Sequence, residues 1–215
     1  MKVLPSLAAA DPLRLGYELD RIREWPSLHV DIEDGNFTPN ITFGLRTLNA
    51  VCAHATNSEI DVHLMVTDPL SWLEHLADKP VKRVAAHIEA LPFPMQFINR
   101  AHALGMRAGL ALNIGSPGTL TEPFWDLVDY ILVMTSEPDS AGENLYRPAL
   151  KKAAEIATHL PAEVELYADG GLNVESLVEL NRAGAAGAVM GRHVFSSADP
   201  LGTLTALIKK LEKEN

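Results

Sequence analysis

Four residues carry the strongest chemical signal in the sequence: His29, Asp31, His63 and Asp169. His29 and Asp31 stand two apart in the apolar run Leu28–Ile32, so their side chains leave an extended strand on the same face. His63 shares parity with Met65 in the run Ile60–Met65, and Asp169 follows Val164–Ala168 just ahead of Gly170-Gly171. Any one of them alone reads as an ordinary hydrogen-bonded core residue. Together, at matching ends of apolar runs, two imidazoles and two carboxylates make a mixed nitrogen and oxygen donor set. Such a set suits one divalent metal ion, whether zinc, iron, manganese or cobalt. Two buried carboxylates without a counter-charge are costly, and a divalent cation relieves that cost.

The elements that must position these residues follow from the hydrophobic pattern. Strands are expected at Lys2–Leu7, Leu28–Ile32, Ile60–Met65, Arg83–His87, Arg107–Leu112, Tyr130–Met134, Val164–Ala168 and Ala188–Met190. Helical patterns lie between them, starting near Leu45, Pro69, Pro94, Pro123, Arg147, Asn173 and Pro200. Another is expected after Asp11 as N-cap and Pro12 at the first helical position, with Leu15, Leu19 and Ile22 as its buried stripe. Alternating strands and helices imply parallel βαβ units. Eight such units point to an α/β fold, a single (β/α)8 TIM barrel spanning residues 1–215. Barrels of this kind typically need about 250 residues, so the loops must be short. An open sheet with a dinucleotide site would want a glycine-rich turn after the first strand, and Leu7-Ala8-Ala9-Ala10 has none. In the barrel, function belongs at the C-terminal strand ends, where the quartet falls.

The formal net charge of −10 argues against nucleic acid or an anionic membrane as partner. The one cysteine, Cys52, allows no intrachain disulfide, in keeping with a reducing compartment. Met-Lys-Val-Leu-Pro-Ser at the start lacks the pattern of a signal peptide, and no apolar run is long enough for a membrane helix. A cytoplasmic protein is the expectation.

The chain resembles the ribulose-phosphate 3-epimerase family, nearly end to end. The resemblance is carried by Pro5-Ser6 with Ala10-Asp11, His29-Val30-Asp31, Asp34-Gly35-Asn36-Phe37 and, most specifically, Pro39-Asn40-Ile41-Thr42-Phe43-Gly44. Asp61-Val62-His63-Leu64-Met65-Val66, His87-Ile88-Glu89, Val133-Met134-Thr135 with Glu137-Pro138, and Asp169-Gly170-Gly171 complete it. It implies that His29, Asp31, His63 and Asp169 ligate one metal, and that Asp31 and Asp169 are an acid/base pair on opposite faces of a ketose phosphate. One aspartate would remove the C3 proton to give an enediolate, and the other would reprotonate the opposite face. Ser6 would hydrogen-bond the substrate or a water at the metal, and Met65 and Met134 would cap the site. The resemblance also implies homo-oligomers.

Three departures bear on the substrate. Glu33 stands where the family usually carries a methionine. The loop Glu137-Pro138-Asp139-Ser140-Ala141-Gly142-Glu143 keeps only Gly142 of a glycine-rich phosphate nest. Met190-Gly191-Arg192 replaces a usual Gly-Ser pair, and an arginine there can grip a phosphate bidentately. The phosphate site expected for this chain is therefore Gly142, Gly170, Gly171, Gly191 and Arg192. Two other readings compete. A Schiff-base aldolase needs an inner lysine, and decarboxylase or hexulose-phosphate synthase barrels use Asp-x-Lys-x-x-Asp, where this chain has Asp31-Ile32-Glu33-Asp34. A sugar-phosphate-binding barrel without activity would fit the altered loop, but not the complete quartet.

Overall fold

In the computed structural model, residues 1–138 and 145–214 are described. The strands are β1 (Lys2–Pro5), β2 (Ser27–Glu33), β3 (Glu59–Met65), β4 (Val81–His87), β5 (Arg107–Leu112), β6 (Tyr130–Met134), β7 (Glu165–Asp169) and β8 (Gly187–Met190). They form one parallel sheet in the order β1-β8-β7-β6-β5-β4-β3-β2. Its two ends meet through a parallel bridge between Ser6 and His29, which brings the sheet round into a barrel.

Each strand is largely buried, as a parallel sheet covered inside and out requires, with apolar outward faces and, on β2, β3 and β4, polar residues turned into the barrel. The outward residues Val30, Val62, Val84, Leu110, Ile131 and Ala168 join helix residues such as Leu48, Leu73, Phe97, Leu150, Leu177 and Leu204 in one core between barrel and helices. Leu4, Ala85, Ala111, Tyr130, Leu132, Tyr167 and Val189 pack into a second, inner core. Two inner glycines make room for its rings. A Cβ on Gly109 would lie 2.4 Å from the Tyr130 ring, and one on Gly187 would lie 2.2 Å from that of Tyr167.

The helices are α1 (Leu15–Arg21), α2 (Leu45–His54), α3 (Pro69–Leu76), α4 (Pro94–Ala103), α5 (Arg147–His159), α6 (Val174–Arg182), α7 (Arg192–Phe195) and α8 (Pro200–Lys213). Proline opens α3, α4, α5 and α8 in the first turn, where its missing N–H costs nothing. Asn173 caps α6 by accepting from the Ser176 amide.

Two expected helix starts differ. Asp11 does not cap α1: its carboxylate accepts from the Leu13 amide and the Arg14 Nε, forming a local turn. The helix begins after that turn, and the stripe persists, with Leu19 and Ile22 buried. The segment at Pro123 forms only a 3-10 turn, Glu122–Phe124, because β6 begins at Tyr130 and leaves no length for a further helix.

Candidate metal centre

Strand register assembles the site. In the β2–β3 ladder Asp31 lies opposite His63, and His29 opposite Asp61. Asp169 is the last residue of β7, paired with Met134 of β6 and Val189 of β8. Thr135 clamps the following turn: its amide donates to the Asp169 carbonyl at 2.6 Å and its hydroxyl to the Gly170 carbonyl at 2.6 Å. Gly170 holds φ +109°, and a Cβ there would meet Ser136 Oγ at 2.3 Å, so the turn depends on glycine. Thr42 staples the end of β2, donating to the Asp31 carbonyl at 2.6 Å and accepting from the Glu33 amide at 3.0 Å.

The expected quartet converges. His29 Nε2 lies 3.1 Å from Asp31 Oδ1 and 3.7 Å from Asp169 Oδ2. His63 Nδ1 lies 3.3 Å from Asp31 Oδ1 and 3.6 Å from Asp169 Oδ2. One donor atom from each of the four residues lies within 4.8 Å of the rest. An ion about 2.1 Å from each of four tetrahedral donors would set them about 3.4 Å apart, so the observed spacing fits a divalent cation of zinc size. His63 Nδ1 supports the fit, being buried with no hydrogen-bond partner.

The electrostatics point the same way. Burial opposes a charge on His29, yet the Asp31 and Asp61 carboxylates outweigh it and raise the imidazole well above its usual value. His63 is likewise disfavoured by burial and raised by Asp169 and Asp31. Burial works against ionised Asp31, and His29 and His63 overcome it, holding the carboxyl below the usual range. Ser6, at the end of β1, donates to the other oxygen, Asp31 Oδ2, at 2.6 Å.

Asp31 and Asp169 of the quartet line a cleft of about 1010 Å³, whose walls also include Ser6, Glu33, Met65, Met134, Gly170, Gly171, Gly191 and Arg192. Met65 and Met134 are both buried. Glu33 is the last residue of β2, buried and of the same parity as Asp31, so its side chain belongs to the cleft and not to a solvated loop. Gly142 lies outside the described residues. Arg192 opens the short helix α7 on the cleft wall.

Sequence reading gave no role to Asp61, Tyr130, Arg83 or Tyr167 behind the quartet, and met His87 only within a family motif. His29 Nδ1 meets Asp61 Oδ2 at 2.8 Å, and Tyr130 donates to Asp61 Oδ1 at 3.2 Å. Arg83 Nη2 approaches Asp61 at 3.8 Å while its guanidinium lies over Tyr167, 4.7 Å from the ring centroid. Behind His63 stands His87, Nε2 to Nε2 at 2.9 Å. Parity was the available signal, since Asp61 is two before His63 and Arg83 is in register with Asp61.

The chain matches the sequence profile of the Ribulose-phosphate 3 epimerase family over residues 2–195. It is 34% identical to the ribulose-phosphate 3-epimerase of Schizosaccharomyces pombe, over 99% of this chain and 94% of that one. It is 33% identical to the cytoplasmic isoform from Oryza sativa subsp. japonica, over 98% and 94%. In fold it is similar to 3-hexulose-6-phosphate synthase from Salmonella typhimurium, with a TM-score of 0.75 and 13% identity across 100% of both chains. It is also similar to orotidine 5'-phosphate decarboxylase from Pyrococcus horikoshii, with a TM-score of 0.69 and 14% identity over 99% of each. These two likenesses concern the barrel alone. On profile, identity and coverage, this chain belongs to the ribulose-phosphate 3-epimerase family.

Proposed function

We propose that the protein is a metal-dependent epimerase inverting C3 of a ketose phosphate, with Asp31 and Asp169 as the proton-transfer pair. The observation that carries this reading is the shared imidazole pair. Asp31 from β2 and Asp169 from β7 approach His29 and His63 from different strands across the barrel mouth, and both carboxylates line the cleft.

A divalent cation held by His29, Asp31, His63 and Asp169 would supply Lewis-acid polarisation of the substrate carbonyl. Asp31, held ionised, takes the C3 proton and leaves an enediolate. Asp169, as the acid of the pair, returns a proton to the opposite face, and the roles exchange in the reverse direction. Ser6 holds Asp31 Oδ2. Buried Met65 and Met134 flank the cleft and keep water from the reacting carbon. Gly170, Gly171, Gly191 and Arg192 form the phosphate end, where Arg192 offers the bidentate grip. The rice relative's cytoplasmic assignment and the lone buried cysteine support a cytoplasmic enzyme.

The test is a solvent-exchange screen of the metal-loaded protein with a panel of ketose phosphates in D2O, read by NMR. Deuterium entering at C3 together with the C3 epimer is expected, and Asp31→Asn or Asp169→Asn should abolish epimer formation. No exchange across the panel, from a protein that binds no zinc, iron or manganese, would leave a sugar-phosphate-binding barrel as the better account.

A further inference from the structure

The two imidazoles of the centre are backed in different ways. His29 meets a carboxylate directly, whereas His63 meets a second imidazole. His63 Nε2 and His87 Nε2 are 2.9 Å apart, with ring planes inclined by only 21°. Both histidines are fully buried, so water cannot mediate between them. When both rings are neutral, two nitrogens at that distance share one hydrogen, so one ring donates and the other accepts.

The far ends of the two rings decide the direction. His87 Nδ1 lies 3.3 Å from Glu89 Oε2. An ionised carboxylate only accepts, so it selects the His87 tautomer with its proton on Nδ1. His87 Nε2 then offers a lone pair and takes the hydrogen of His63 Nε2. That leaves the lone pair of His63 on Nδ1, which faces Asp31 and Asp169 at 3.3 and 3.6 Å.

Glu89 is itself anchored. Its Oε1 accepts from the Asn113 amide at 2.9 Å and from the Ser116 hydroxyl. Lys152 of α5 holds that loop by donating to the carbonyls of Asn113, Ile114 and Ser116 at 2.7, 3.0 and 2.8 Å.

We infer that His87 and Glu89 are positioning residues that set the tautomer of His63, the Glu89 charge facing His87 Nδ1 at ion-pair distance and His87 Nε2 hydrogen-bonding His63 Nε2, so that His63 Nδ1 is presented as a bare donor to the cation. This rests on the reading of His63 as a metal ligand. A relay through a neutral imidazole carries the orienting effect of a carboxylate to a ligand without placing another negative charge beside the centre.

The experiment titrates the full-length, metal-free protein with zinc against a competing chelator, with thermal melts of each metal-free variant alongside. His87→Leu should weaken zinc binding by about 10- to 100-fold. His87→Gln, whose carbonyl oxygen can still accept from His63 Nε2, should stay close to wild type. Glu89→Ala should weaken binding while leaving the fold intact. Nitrogen-15 NMR of the zinc-loaded wild type should show protons on His63 Nε2 and His87 Nδ1. Wild-type affinity in His87→Leu or Glu89→Ala, or a proton on His87 Nε2, would overturn the relay. A wild-type protein with no zinc affinity would overturn the metal reading itself, which is a different result. Should His87→Leu fail to fold, Glu89→Ala and the NMR assignment decide alone.

Discussion

Replacing Asp61 with asparagine removes a charge while keeping the side chain's shape, and its two consequences can be separated. Asp61 is buried in the barrel, 2.8 Å from His29 Nδ1, 3.2 Å from the Tyr130 hydroxyl and 3.8 Å from Arg83 Nη2. Arg83 is 3% exposed, and its Nε and Nη1 have no hydrogen-bond partner, so the tyrosine rings and the Asp61 charge are what hold it. Removing one partner of a buried ion pair costs about 3–5 kcal/mol, because the remaining charge is left uncompensated. For a protein of this size each 1 kcal/mol moves the melting temperature by roughly 2–4 °C, so a fall of about 6–20 °C is expected. Independently, with the Tyr130 hydroxyl donating to Oδ1, the asparagine turns its NH2 toward His29 Nδ1, where a donor no longer selects the tautomer with Nε2 bare, and zinc affinity should drop by about 10- to 100-fold. Adding Arg83→Met removes the stranded charge. The double variant should therefore regain most of the melting temperature and none of the zinc affinity. Calorimetry of the metal-free proteins and chelator competition measure the two quantities. The reasoning fails if Asp61→Asn binds zinc like wild type, or if Arg83→Met restores affinity together with stability.

Three further outcomes follow from other parts of the molecule. Arg192→Ala should raise KM for the phosphorylated substrate about tenfold or more, given about 1.5–3 kcal/mol for a charge-assisted contact, and unchanged steady-state kinetics would remove Arg192 from the phosphate site. Gly187→Ala should destabilise by about 1–3 kcal/mol or more, because the new methyl meets the Tyr167 ring at 2.2 Å inside a filled barrel; a neutral melt would show that the inner core is looser than its packing. Asp34 accepts from the amides of Asn36, Phe37 and Thr67 and from the Thr67 hydroxyl; burial opposes its charge but these donors win, holding its pKa at about 2 against an ordinary 3.8. A lowered carboxyl stabilises fully above the unfolded value, and its contribution is lost as pH falls from about 4 through 2. Unfolding titrations over that window should show a shallower acid loss for Asp34→Asn than for wild type.

Much of this was legible in the chain because it is written in local periods. Strand parity put His29 beside Asp31, the βαβ rhythm gave the barrel, and Asp169 ahead of two glycines marked a strand end facing the mouth. The quartet needed only parity and strand direction, both properties of a single strand. What the sequence left open depends on neighbours across the sheet. Register alone sets Asp61 opposite His29 and stacks His87 against His63, and ladder register is fixed by packing over the whole barrel. The orientation of Glu33 into the cleft was settled likewise, because β2 runs one residue further than its apolar run and carries the same parity to the rim. The shortened first helix and the 3-10 turn at Glu122–Phe124 reflect competition that periodicity does not register: a side chain capturing a nearby amide, and a strand start that limits the length before it. The residue types thus determined which chemistry the barrel mouth can host. Closure of the sheet decided which groups stand behind the ligands, since those contacts join residues 24 to 69 positions apart along the chain.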